Sequence, residues 1–385
     1  MPDSFEKVRE ILAAGVGSVF SGAVLGCWRN GQQAFLGSAG TTAFHDVTAL
    51  PGHPVVVASV QPDTVFDLAS LTKPLATLPV LLSLGASGHL DLDGSIGARL
   101  PVVRGTSWET VTTIQLLAHV SGMPAWYPFA AELLAAQGEI VAGTTQARDW
   151  VLSRIASLPA ASNPGSVCTY SDPGFILLAA LAEAAGGTTL DRLFAQRVAL
   201  PLGLRQTFFV RHVSGQAEVA PVPQSRIAAT EICPTRRRCL QGEVHDDNAW
   251  VLGGVSGHAG LFSTAGEVAR ICLALRDAWL GDQRFLLPAL ARRALSCEAT
   301  PPGSTRRIGL DTPSPHGSMA GDLAPTGTVG HLGFTGTSFW MDPGTGNLVV
   351  LLTNRVHPER ARIGIQAFRP LLHDACWQAL NDAVR

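Results

Sequence analysis

Ser70 and Lys73 stand three residues apart in FDLASLTKPLAT, residues 66 to 77, and Pro74 follows the lysine at once. The spacing alone is common; Ser4 and Lys7 repeat it. Composition discriminates better, because Lys7 and Lys73 are the only lysines among 28 basic residues and the rest are arginine. Where a surface charge suffices, this chain uses arginine. An amine that can give up its proton is what arginine cannot supply. Lys73 lies between apolar stretches, where burial would lower its pKa towards that of a working base. Proline is tolerated only in a first helical turn, so Pro74 puts the helix start at or near Ser70. Hydroxyl and amine then share one helix face, and the positive end of the helix favours an oxyanion there. The chemistry this implies is attack by a serine whose proton passes to a lysine. The competing reading is a helix-capping serine beside a snorkelling lysine.

The elements that would position such a pair can be read from periodicity and punctuation. Residues 4 to 15 read as an amphipathic helix, and AVLGCWRNGQQAFLGSAG as two strands turning at Asn30-Gly31. The middle is mostly helical: segments end at Gly88, at Gly122, before Pro159 and at the paired glycines 186 and 187. Residues 209 to 257 form an irregular excursion that includes a basic run, Arg236 to Arg238, read as a solvated face. Near the end, GTSFWM and NLVVLLTN flank a hairpin signal at 342 to 346, and a closing helix contains Pro370. The expected fold is α+β: an antiparallel sheet flanked by helices and built from both termini, with an inserted, mainly helical domain. The expected boundaries are 1–66 with 300–385 for the sheet domain and 67–299 for the helical one, with the site in the crevice between them.

Bulk properties narrow the function classes. The 385 residues carry a net charge of −2, with 15% charged and 46% hydrophobic residues. That composition argues against a nucleic-acid partner and suits a loop-rich enzyme acting on a small molecule. Seven cysteines without regular spacing, Cys233 and Cys239 being the only close pair, read as free thiols rather than a zinc site. The uncharged run from Ile11 to Trp28 contains VLGC, similar to a lipoprotein cleavage site, but the leader before it mixes acids with bases. The expectation is therefore a buried strand, no membrane association and a cytoplasmic protein. Oligomeric state is not legible.

SLTK, followed by TYSDPGF and then GHLGFTGTSFW, resembles the serine β-lactamase and penicillin-binding-protein superfamily, specifically class C β-lactamase-like hydrolases and family VIII carboxylesterases. LLAHVSGMPAW and GEVHDDNAW with GGVSGHAGLFSTAGEVAR are similar to its linking stretches, so the resemblance runs from the 20s to about Arg355. It implies that Ser70 is the nucleophile, Lys73 its proton-transfer partner and Tyr170 a second base. It also implies that the backbone N–H groups of Ser70 and Phe334 form the oxyanion hole, and that no cofactor or metal is needed. Tyr127 and Tyr170 are the only tyrosines, and a phenol beside an ammonium has its anion stabilised. HLGF is expected as an inner strand walling the cleft. His331 is expected to touch substrate, Gly333 to let it approach the backbone, and Gly336 to fit a close pass between strand and helix.

Two departures bear on substrate. Where penicillin-recognising members carry Lys-Thr-Gly, this chain has His331-Leu332-Gly333, so the fixed cation and the hydroxyl that grip a carboxylate are gone. Where the β-lactamase pattern has Asn, this chain has Asp172, which accepts hydrogen bonds only and favours a charged Lys73. Both point to ester or small amide substrates. His245, Asp246 and Asp247 stand on one segment and read as a hydrogen-bonded loop rather than a metal site, and GHAGLF around His258 reads as a turn near the cleft. The readings weighed are an acyl-enzyme hydrolase, esterase-like before β-lactamase, D-aminopeptidase or acyltransferase, and a non-catalytic binding or scaffold protein of the same fold.

Overall fold

The computed structural model describes residues 4–45, 55–214, 216–296 and 300–382. Helix α1 (Glu6–Ala14) leads into the hairpin of β1 (Gly22–Arg29) and β2 (Gln32–Gly40), whose turn holds Asn30 and Gly31 at positive φ, as the dipeptide predicts. The middle holds β3 (Phe66–Asp67) and helices α2 (Leu78–Ala86), α3 (Thr113–Leu117), α4 (Phe129–Gln137), α5 (Thr145–Ala156), α6 (Asp172–Gly186), α7 (Leu190–Phe194) and α8 (Leu200–Leu202). Strand β4 (Phe208–Phe209) follows, then the two-residue ladders β5 (His212–Val213) with β6 (Gln216–Ala217) and β7 (Ile232–Cys233) with β8 (Arg238–Cys239). Next come α9 (Asp247–Val251), β9 (Leu261–Ser263), α10 (Ala265–Leu280) and α11 (Pro288–Leu295). Strands β10 (Val329–Leu332), β11 (Ser338–Met341) and β12 (Leu348–Thr353) precede α12 (Ile365–Asp382), which runs through Pro370.

The main sheet has the order β10-β11-β12-β1-β2, all antiparallel, so strands from near both ends of the chain pair at its centre. Pairing Ala23 with Thr353 and Trp28 with Leu348 sends alternate side chains to opposite faces. Leu25 and Cys27 of β1, with Val349 and Leu351 of β12, pack under α1 and α12 beside Leu12, Leu372 and Trp377. Val24, Val350 and Leu352 point into the larger core shared with the helices. Both faces are covered, so β1 reads as an unbroken apolar run. That burial explains the VLGC stretch, which lies inside β1.

Asn354, just past β12, joins three segments. Its Oδ1 accepts from the Gly22 N–H at 2.9 Å, and its Nδ2 donates to Ser21 Oγ at 2.7 Å and to the Ala229 carbonyl at 2.9 Å. A second sheet of order β3-β9-β4 sits within the helical part, and β3 leads directly to Ser70. The apolar runs of α2 and α6 are buried nearly throughout. The stretch Ala69–Ala86 is long and apolar enough to cross a membrane, but most of it is buried inside the fold.

Three expectations need correction here. β10 is an edge strand, not an inner one, with a single ladder to β11; its free edge meets only the bridge between Asp311 and Gly330. The basic run is not a solvated face. Arg236 is buried against Trp250 and donates to the carbonyls of Val244 and His245, while Arg238 pairs with Glu243 and only Arg237 is exposed. Gly336, at φ +103°, makes its close pass against Thr353 and Arg355 at the end of β12 rather than against a helix. Of the seven cysteines, Cys297 lies outside the described residues; the other six are free thiols.

Candidate active site

Strand β3, which precedes Ser70, ends in a constrained turn. Ala69 adopts φ +47°, a conformation that side-chain-bearing residues rarely hold without support. Buried Asp67 supplies it: Oδ1 accepts from the Ala69 N–H at 2.8 Å, and Oδ2 from the His245 N–H at 2.7 Å. Ser70 follows, half-buried, in a 3₁₀ turn that widens to i→i+5 bonding through Lys73–Thr77 before becoming α2. Pro74 and Pro79 each remove a backbone donor, and the wide turn between them accommodates the loss. Ser70 is therefore presented by a helix start, as Pro74 implies.

Lys73 is fully buried, and its ammonium has a ring of acceptors. Nζ lies 3.0 Å from Ser70 Oγ, 2.8 Å from Asp172 Oδ1 and 3.1 Å from the His258 carbonyl. The Tyr170 ring centre lies 4.7 Å from the same ammonium, and Tyr170 interacts with both Lys73 and Ser70. Burial alone pushes the Lys73 pKa down, but the Asp172 carboxylate and Tyr170 more than offset it, and the net shift is upward. For Tyr170, withdrawal from water pushes the phenol up, Lys73 opposes this, Asp172 adds to it, and the result is again upward. These are corrections: burial does not free the Lys73 amine, and the nearby ammonium does not bring the phenol down. The carboxylate at 172 turns the Lys73 shift upward and adds to the effect of burial on Tyr170. The resting site holds a charged lysine and a neutral tyrosine.

The start of α6 carries Tyr170 and Asp172, and it is laced to residues 119–125. Thr169 N–H donates to the His119 carbonyl, Ser171 N–H to His119 Nδ1 at 3.0 Å, and Asp172 N–H to the Ala125 carbonyl. Ser171 caps α6 by accepting from Gly174 N–H, and donates to the Pro124 carbonyl at 2.8 Å. The His119 ring packs against Tyr170 in a tilted arrangement, with centroids 4.6 Å apart. The Arg306 guanidinium lies 4.8 Å from the centre of the Tyr170 ring and pairs with Asp311 at 3.2 Å. A helix N-terminus is a favourable place for the Asp172 carboxylate.

The third motif is docked onto the segment that leads to Ser70. Thr335 Oγ1 donates to the Asp67 carbonyl at 2.7 Å and Thr337 Oγ1 to that of Leu68 at 3.0 Å. This brings Phe334, just past β10, to the mouth of the cleft holding Ser70 and Tyr170, and its backbone N–H has no protein acceptor among the described residues. Gly333 is needed for a reason other than substrate access. A Cβ there would stand 2.0 Å from Thr337 Oγ1 and 2.5 Å from the Leu68 carbonyl, so the protein's own backbone fills the space. His331 is buried behind Tyr170, with ring centroids 5.9 Å apart, and hydrogen-bonds its own chain through Nδ1 to the Leu332 carbonyl. Burial, with Arg306 and Lys73 nearby, holds its pKa well below the usual range. It is a neutral packing group and does not line the cleft, which corrects the expected substrate contact.

The cleft has a volume of about 470 Å³ and is lined by Ala69, Trp126, Pro128, Ala259 and Phe334 beside the polar groups. A larger open groove of about 740 Å³, between the β1–β2 hairpin and α10, contains no comparable constellation; its Glu267 is taken up by the N–H groups of Arg205 and Gln206 and by Thr207. The cleft wall from residues 236 to 247 is a charge network: Arg236 pairs with Glu243 and Asp247, Arg238 with Glu243, and Arg360 with Glu231 and Asp247. Asp246 caps α9 and pairs with His258 at 2.9 Å, and His258 Nδ1 meets Ser256 Oγ at 2.8 Å. Ser256 is 1% exposed and lies off the cleft, so this line fixes the loop whose carbonyl holds Lys73.

Asp67, Trp126, Arg306, Thr335 and Thr337 were not singled out by the sequence. The closest signals were the proximity of Asp67 to Ser70 and the two threonines flanking Gly336. Ser70, Lys73, Tyr170 and Asp172 are brought together, Phe334 stands at the cleft mouth, and His331 and Gly333 lie behind it.

Comparison with known proteins identifies the family. The Beta-lactamase family model matches residues 8–369. A Salmonella agona protein named "Putative D-alanyl-D-alanine carboxypeptidase" is 31% identical over 339 residues, covering 81% of this chain and 74% of the relative. A Bacillus subtilis N-acetylmuramyl-L-alanine amidase is 29% identical over 375 residues, covering 91% and 81%. Among solved structures, EstCE1, a hydrolase with promiscuous acyltransferase activity, superposes with a TM-score of 0.69 at 20% identity, covering 97% and 98% of the two chains. Unliganded simvastatin synthase from Aspergillus terreus gives 0.71 at 17% identity, with both chains fully covered. With the serine and lysine of the first motif and the tyrosine of the second gathered at one cleft and the family model spanning nearly the whole chain, the protein belongs to the β-lactamase family, the serine β-lactamase and penicillin-binding-protein hydrolases.

Proposed function

We propose that this hydrolase works through an acyl-enzyme on Ser70 and prefers uncharged esters. The observation that carries the preference is the pairing of cations at the cleft. Lys73 is held by Asp172, and Arg360, the one arginine lining the cleft among the described residues, is held by Glu231 and Asp247. The position where related enzymes keep a lysine for the substrate carboxylate is a buried, neutral His331. A substrate carboxylate entering this cleft would lose its water without gaining an unpaired cation, which is costly.

Ser70 Oγ attacks the ester carbonyl as its proton passes to the Lys73–Tyr170 pair in its singly deprotonated form. The two groups are coupled closely enough that the base is the pair. The N–H groups of Ser70 and Phe334 meet the developing oxyanion. The pair returns the proton to the departing alcohol, and water repeats the sequence in reverse to release the acid.

The carboxypeptidase and amidase names of the curated relatives favour a second reading, hydrolysis of a small amide. A panel of short-chain nitrophenyl esters, a chromogenic cephalosporin and D-alanyl amides, with Ser70→Ala as control, separates the two. The expected result is kcat/KM for the best ester at least about 100-fold above that for the cephalosporin, a gap of about 2.7 kcal/mol in transition-state binding. Clear cephalosporin turnover with poor ester hydrolysis would overturn the preference.

A further inference from the structure

Two large aromatic side chains line the cleft while exposed to solvent, Trp126 at 58% and Phe334 at 52%. Phe334 is held rigidly. Its ring stacks on His245 at 5.7 Å, and the Arg355 guanidinium lies 4.3 Å from its centre. Arg355 is itself fixed, donating to the carbonyls of Phe334, Arg360 and Arg362. Held by these two contacts, the Phe334 ring lines the cleft. Trp126 stands on the segment laced to Thr169–Asp172, so its backbone is registered to Tyr170. The floor between is small and apolar, Ala69, Pro128, Ala130, Ala131 and Ala259. The charged wall behind it is internally neutralised, three arginines against three carboxylates.

An exposed indole and a fixed phenyl ring beside small apolar lining residues form a seat for a flat aromatic ring. An aromatic guest gains face and edge contacts beyond the burial an aliphatic chain would gain. We propose that the Trp126–Phe334 side of the cleft is a subsite for an aromatic group of a neutral substrate. Resting on the esterase reading above, this names the substrate class as aryl-bearing, uncharged esters.

The test uses boronic acids, which form a reversible tetrahedral adduct with a nucleophilic serine and need no turnover. Calorimetry on the full chain compares benzylboronic acid, methylboronic acid and (2-carboxyethyl)boronic acid. The benzyl compound is expected to bind at least about tenfold more tightly than the methyl one, and the carboxylate-bearing one no more tightly than methyl. Trp126→Ala, on an exposed side chain, is expected to cut the benzyl advantage below about threefold, and Trp126→Phe to retain part of it. Equal affinities for benzyl and methyl, or a benzyl advantage unchanged by Trp126→Ala, would overturn the subsite alone. Tighter binding of the carboxylate compound would overturn the neutral-substrate assignment. Absence of any binding would overturn the nucleophilic reading of Ser70 and the subsite with it.

Discussion

Lys73→Met is expected to lower kcat/KM by at least about a thousandfold, because it removes the amine from the proton-transfer pair and one donor from Ser70 Oγ. Lys73→Arg should be nearly as poor. It keeps the positive charge but places a guanidinium that does not deprotonate where a base is required. The stability consequence differs from the catalytic one. Removing Lys73 leaves the Asp172 carboxylate beside a buried apolar side chain. Breaking such a pair costs about 3 kcal/mol, somewhat less here since Asp172 keeps some contact with solvent. The double variant Lys73→Met with Asp172→Asn is expected to regain most of the lost Tm and none of the activity. Thermal unfolding and steady-state kinetics on the four members of this cycle check it. If the double variant recovered activity together with stability, Lys73 would be a structural ion-pair partner and no more.

Asp172→Asn alone is expected to accelerate the enzyme at neutral pH. In the native site the carboxylate raises the pKa of both Lys73 and Tyr170, so the base form of the pair appears only as pH climbs. The direction follows: a base that loses its proton above neutrality gives kcat/KM rising with pH from 7 upward, with a slope of one proton. Replacing the carboxylate by an amide takes away that upward push and leaves burial, which lowers the Lys73 pKa. The alkaline limb then moves to lower pH, and at pH 7 the rate gains roughly tenfold for each unit it moves. A full pH profile of both proteins decides the point. A role limited to positioning Lys73 would instead lower the rate at every pH without moving the limb.

The legibility of this protein in its sequence follows the range of the interactions. The Asn30-Gly31 hairpin and the helix closing at Gly186 and Gly187 are local, since positive φ and helix termination depend on a few adjacent residues, and they appear where the sequence puts them. Ser70 and Lys73 stood out because lysine is scarce and proline constrains the start of a helix. His331 and Gly333 were misjudged because their roles depend on contacts far away in the chain. The Leu68 carbonyl occupies the space beside Gly333, and Tyr170 covers His331. The burial of Arg236 is illegible for the same reason: three consecutive arginines carry no sign that one of them reaches Trp250 and two carbonyls. The direction of the Lys73 shift was a question of magnitude. Sequence reading identified burial and Asp172 as opposing influences, and only the 2.8 Å separation shows that the carboxylate prevails.

The central claim is that Ser70 is the nucleophile of an acyl-enzyme. It is tested most directly by treating native protein with a fluorophosphonate and locating the adduct by intact mass and peptide mapping. The account predicts one adduct per chain, on Ser70, formed faster as pH rises above 7 and abolished by Ser70→Ala. An unlabelled Ser70, or a label on Ser256 of the His258–Asp246 line, would contradict it.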